Sequence, residues 1–102
     1  MLKIAIGFNK DDGEIESLIR DSFSNVKIVQ SRGFDGWDIF FIAIIPVLRL
    51  SVEVVDRIVA ILSSNPKSVL ILKDEIISIE NYSAKGVREI LEARYTKNLD
   101  DD

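Results

Sequence analysis

A chain of 102 residues that is 47% apolar, with a net charge of −4, is long enough for one core and too hydrophobic for disorder. It contains no cysteine and no histidine, which excludes disulfides, thiolate nucleophiles, zinc–sulfur sites and every imidazole-based triad. The 13 basic residues are scattered, so the clustered cations that release counterions from nucleic acid are missing.

In chain order, Leu2, Ile4, Ile6 and Phe8 alternate with Lys3, Ala5 and Gly7, a period of two that predicts a first strand. The small residues Ala5 and Gly7 suggest a face closely approached by a helix. Residues 11–24 change period: Ile15, Leu18, Ile19 and Phe23 form one helical stripe, with Asp11 or Asp12 as N-cap and acids suited to the positive helix end. Residues 25–30 alternate again around Val26 and Ile28 and predict a short, partly exposed strand. The glycines of residues 31–36 predict a loop.

Residues 37–45 are almost entirely apolar and stop at Pro46, the pattern of a strand buried on both faces. Ser51 caps a second helix that runs to about Ser64, with Val55, Ile58, Val59 and Leu62 on its inner stripe and Asn65-Pro66 ending it. A strand over 67–72 follows. Residues 73–80 allow two readings: a tight turn with 76–80 pairing back as a hairpin strand, which the alternation of Ile77 and Ile79 favours, or a helix capped by Asp74. Ser83 caps a last helix to about Tyr95, with Val87, Ile90 and Leu91 facing inward. The expected fold is α/β (or α+β), a mixed sheet of about five strands with three helices in the order βαββαββα. It fills residues 1–96 as a single domain, and 97–102 form a frayed acidic tail.

In an open α/β sheet, ligands gather beyond the carboxyl ends of parallel strands. Here those ends offer Asn9, Lys10, Asp11 and Asp12 after the first strand and Lys73 after a later one, a set able to hold Mg²⁺ and a phosphate-like group. Capping and turn chemistry account for the same residues. Phe34, Asp35 and Trp37 beside glycines form a second candidate, an aromatic protein contact, although a tryptophan at the start of a strand also serves as a core plug. Gly7, Gly33 and Gly36 match neither the dinucleotide nor the P-loop pattern.

The segment from Trp37 to Pro46 resembles the third strand of response-regulator receiver domains, an aromatic–Asp start running to a proline. The phosphoryl-accepting aspartate of that family is replaced here by Ala43, and Asp11 and Asp12 lie farther from the first strand than the family's acid pair, so the resemblance implies a relative that cannot be phosphorylated. The layout of the second half, with Ser68 to Glu80 between two helices, resembles small effector-associated domains of bacterial conflict systems, without their glycine-rich centre.

Together these features point to a non-catalytic, acidic protein-interaction domain, immunity- or antitoxin-like or an accessory module of a defence system. Its expected partner is a protein, and a basic one suits the charge. A small-molecule, nucleotide or degenerate receiver-like site after strand 1 is the alternative. No catalysis, cofactor, bound metal, nucleic acid or membrane is expected. The most apolar stretch holds Pro46 and Arg49 and is short of a bilayer span, and the N-terminus lacks a signal-peptide core, so the expected location is cytoplasmic. The edge of residues 26–30 could pair with a second copy.

Overall fold

The computed structural model describes residues 2–9, 13–34, 37–72 and 76–96. Five strands form one sheet in the order β2-β3-β1-β4-β5: β1 (Leu2–Asn9), β2 (Lys27–Phe34), β3 (Trp37–Val47), β4 (Val69–Ile71) and β5 (Ile76–Ser78). Helices α1 (Gly13–Ser22), α2 (Val52–Ser64) and α3 (Ala84–Leu91) complete the domain, so strands and helices follow the expected order. Two β-α-β units interlock. β1-α1-β2 leaves a gap that β3 fills, and β3-α2-β4 leaves one that β1 fills.

Every ladder is antiparallel, where a mixed sheet is expected from sequence. The cause is the interlocking: each helical crossover joins two parallel strands, but a strand of the other unit always lies between them.

The core forms on one face of the sheet. Ile4, Ile6 and Phe8 of β1, Ala43, Ile45 and Val47 of β3 and Leu70 of β4 meet the helical stripes: Ile15 and Ile19, Val55, Ile58 and Leu62, and Val87 and Leu91. These spacings of three and four put each set on a single helix face, where burial contributes roughly 1.5–3 kcal/mol per large aliphatic side chain. Leu18, at the margin of its stripe, remains 40% exposed.

The expected caps are present. The Val54 N–H donates to Ser51 Oγ at 3.2 Å, and the Gly86 N–H to Ser83 Oγ at 3.1 Å. Asn65 ends α2 by donating its side-chain amide to the Ile61 carbonyl at 2.8 Å. Asn25, at φ 60°, turns the chain from α1 toward β2 in the left-handed conformation that asparagine tolerates. The last helix continues beyond α3 as a π-helical turn, Glu92–Thr96, which brings Tyr95 into the core.

Several boundaries differ from the sequence reading. Residues 31–34 belong to β2 rather than to a loop, because Ser31, Arg32 and Phe34 pair with Phe40, Ile39 and Trp37, and a long ladder outweighs the glycine at position 33. β3 passes through Pro46 to Val47. Pro46 is tolerated because the described pairing of β2 with β3 begins only at Lys27 and Ile44, leaving Lys3 of β1 as its cross-strand partner. The hairpin reading of residues 73–80 is the correct one, with β5 pairing back on β4, but it ends at Ser78 and a 3₁₀ turn covers Ile79–Asn81.

Phe40 of β3 is 5% exposed on the side away from the helices, but from Ile42 to Pro46 the strand is not buried on both faces. Ala43, Ile45 and Val47 are buried, while Ile42, Ile44 and Pro46 between them are half-buried on the side away from the helices. The expected cap at Asp11 or Asp12 and the tail of 97–102 lie outside the described residues.

Candidate interaction surface

Successive side chains of a strand point to opposite faces, and cross-strand partners share a face. With Ile4, Ile6, Ala43 and Ile45 turned to the helices, the other face follows from the register. Val29 of β2 pairs with Ile42, Ala5 of β1 with Ile44 and Ile71, Gly7 with Ile42 and Val69, and Ile71 with Ile76 of β5. An aliphatic band therefore crosses all five strands. No helix among the described residues packs on it: the buried positions of α1, α2 and α3 belong to the single core on the opposite side.

Ordinarily a one-sided antiparallel sheet turns polar residues to water. Here Val29, Ile42, Ile44 and Ile71 are half-buried and Ile76 is 43% exposed. At the end of the sheet where Leu2 meets Val47, the chain continues into Leu48, 84% exposed, and Val52, 74% exposed at the start of α2. Apolar surface on a sheet face that no described helix covers is of the kind that marks interaction sites.

By register the described charged positions of the open face are Lys3, opposite Pro46, Lys27, opposite Ile44, and Asp38, toward the other end of β3; Lys3 and Lys27 are exposed. Three arginines of the helical layer are matched by acids. Arg20 pairs with Glu16 at 3.1 Å, Arg57 with Glu53 at 2.5 Å, and Arg88 with Asp56 across α2 and α3. Arg57 also donates to the Ser22 carbonyl at 3.0 Å, joining α2 to the end of α1. Lys3 and Lys27 have no such carboxylate among the described residues.

The antiparallel register disperses the ligand site expected beyond parallel strand ends. Asn9 ends β1 opposite Phe40, whereas Pro46 lies level with Lys3 at the other end of the sheet. β4 runs from the level of Gly7 to that of Ala5, away from Asn9. The described strands thus do not converge there. Lys10, Asp11, Asp12, Lys73 and Asp35 lie outside the described residues, and of Phe34 and Trp37 the structure gives the mutual pairing that closes the β2–β3 hairpin. No group of three or more acids able to hold a metal ion occurs among the described residues, nor any helix long and apolar enough to cross a membrane.

A separate open groove of about 400 Å³ lies between β5 and α3, with Ile77, Gly86 and Ile90 on its walls and Tyr82, Glu89 and Arg94 at its margin. Tyr82 and Glu89 are exposed, so the groove has a polar rim without a buried polar anchor.

The sequence pattern places Ile42 and Ile44 in a strand covered on both faces, whereas residues 25–30, with Val29, are expected to be partly exposed. The period-two pattern identifies the faces; it does not say what covers each. No protein-family model, curated protein or solved structure matches this chain.

Proposed function

We propose that this chain is a non-catalytic protein-interaction domain that works through the open face of its sheet. The observation that carries the reading is the aliphatic band of Val29, Ile42, Ile44, Ile71 and Ile76 on the side away from all three helices. A role as an immunity- or antitoxin-like protein, or as an accessory module of a defence system, is the finer form of the same reading, and the small acidic chain is in keeping with it.

The test compares wild type with Ile42→Thr/Ile44→Thr, which keeps β-branched strand formers while removing apolar surface. Affinity capture is combined with hydrogen exchange on the purified complex. The expected result is a partner that protects β1 and β3 amides and is lost with the variant, while the variant still melts cooperatively. Identical partner sets for both proteins would remove the reading.

The position of β2 supports a second reading. Its eight residues form one edge of the sheet, where unpaired backbone groups can accept a second copy. Such pairing predicts a concentration-dependent dimer by sedimentation, with rising amide protection in β2; a monomer at every concentration excludes it.

A further inference from the structure

The occupant of the aliphatic band follows from the charges at its two ends, and it rests on the interaction reading. By register Asp38 stands on the open face toward one end of β3, while Lys3 and Lys27 stand on it toward the other, level with Pro46 and Ile44. Ile42 lies midway between the levels of Asp38 and Lys3, and its cross-strand partners Val29 and Gly7 continue that central row onto β2 and β1. The face thus carries an acid toward one end, two lysines toward the other and aliphatic side chains between.

We infer that the open face packs against the same face of a second copy, each strand lying over its counterpart in the opposite direction. A two-fold axis between the sheets, perpendicular to the strands and over Ile42, brings the Asp38 end of each copy to the lysine end of the other. The levels of Asp38 and Lys3 are each about 13 Å from that axis, on opposite sides, so the contact of acid with lysine is made twice. Packed sheets cross at about 30°, and because Lys3 and Lys27 stand on the strands either side of β3, the crossing keeps Asp38 beside a lysine. Phe40 is only 5% exposed, so the aliphatic contact centres on Val29, Ile42 and Ile44. At ordinary strand spacing and rise, five strands give a footprint on the order of 500 Å² per copy, which suits a reversible dimer.

A uniformly acidic partner fits this face less well, because it would oppose Asp38, and the basic partner suggested by net charge would oppose Lys3 and Lys27. A surface with both signs at opposite ends of an apolar band is instead complementary to itself. This dimer is distinct from edge pairing at β2: it buries side chains of the face and adds no backbone hydrogen bonds.

The test combines sedimentation equilibrium with spectra of protein carrying isotope-labelled isoleucine methyls. Between about 10 µM and 1 mM a dimer should form, with the methyls of Ile42 and Ile44 shifting while those of Ile4, Ile6 and Ile45 in the core stay fixed. Asp38→Lys and Lys3→Glu/Lys27→Glu, in preparations that keep the wild-type cooperative melt, should each weaken the dimer about tenfold at low salt, since each sets like charges at both contacts. An equimolar mixture of the two should recover to within about threefold of wild type, because every contact of the mixed dimer is again between opposite charges. A dimer indifferent to both charge variants, or a mixture that does not recover, would overturn the inference. So would a dimer that protects β2 amides and leaves the Ile42 and Ile44 methyls unmoved, which is edge pairing. A protein monomeric throughout would overturn it while leaving the interaction reading to another partner; that reading falls separately, when Ile42→Thr/Ile44→Thr changes no captured partner.

Discussion

Val69 leans over Gly7: a β-carbon added at Gly7 would stand 2.8 Å from Val69 Cγ2 and 3.1 Å from Ile71 Cδ1. This explains why Val69 is only 4% exposed although no described helix covers its face. The space vacated by glycine on β1 is filled by the branched side chains of β4 and not, as the small residues suggest from sequence, by an approaching helix.

Gly7→Ala should therefore destabilise the domain by about 1–3 kcal/mol, because a γ-methyl packed at a strand pair has little room to retreat. In Gly7→Ala/Val69→Ala the clash is gone, and the double variant should lose less than the sum of the two single losses. Urea unfolding midpoints at constant m-value check both statements; strict additivity would show that the contact is not limiting.

Ile44 and Ile45 are adjacent in sequence and opposite in role. Ile45 is fully buried, so Ile45→Ala should cost about 2–5 kcal/mol, while Ile44→Ala on the open face should cost roughly 1 kcal/mol or less in the isolated chain. Thermal melts of the two variants, side by side, test the assignment of faces. Comparable losses would mean that the second face is covered after all.

Ser51 and Ser83 each accept a backbone N–H at the start of a helix, and Ser51→Ala and Ser83→Ala should each cost about 1 kcal/mol. Glycine at the same positions should cost only a few tenths of a kcal/mol relative to serine, since it suits the extended cap conformation. Denaturation of the four variants distinguishes loss of a cap from loss of a side chain.

Burial of Tyr95 raises its pKa from 10.0 to about 12, with nearby Arg94 opposing the shift in part. The folded state holds this proton more tightly than the unfolded chain, so the associated stability is complete below pH 10 and is lost as pH rises toward 12. The loss should reach on the order of 2 kcal/mol at the top of that window. Tyr95→Phe should flatten this part of the profile with little change near neutrality, measured as melting temperature against pH.

How much of the fold is legible in the sequence depends on what each signal measures. The period of Ile15 and Ile19, or of Val87 and Leu91, reports a side chain's direction, and those residues are buried as expected. Serines 51 and 83 announce their helices through a local hydrogen bond that needs no distant partner. Strand direction has no local signature, however, and the expected crevice between Asn9 and Lys73 depends on it. The apolar run of β3 is ambiguous for another reason: a strand covered by its own helices and one awaiting an external surface require the same residues. Ser31 and Phe34 read as loop in isolation because their extended conformation is imposed by Phe40 and Trp37 across the hairpin.

The interlocked strand order has a consequence for synthesis. β1 precedes the other four strands in the chain, yet its neighbours are β3 and β4, made later. Until Val47 has emerged, Ile4, Ile6 and Phe8 sit in a nascent chain with no native edge to join, and α1 has no sheet to lie on. A truncated product ending before β3 would carry that segment permanently unpaired, as bait for chaperones or for other nascent chains. Emergence of β3 and β4, more than any early local step, is the event that lets this sheet close.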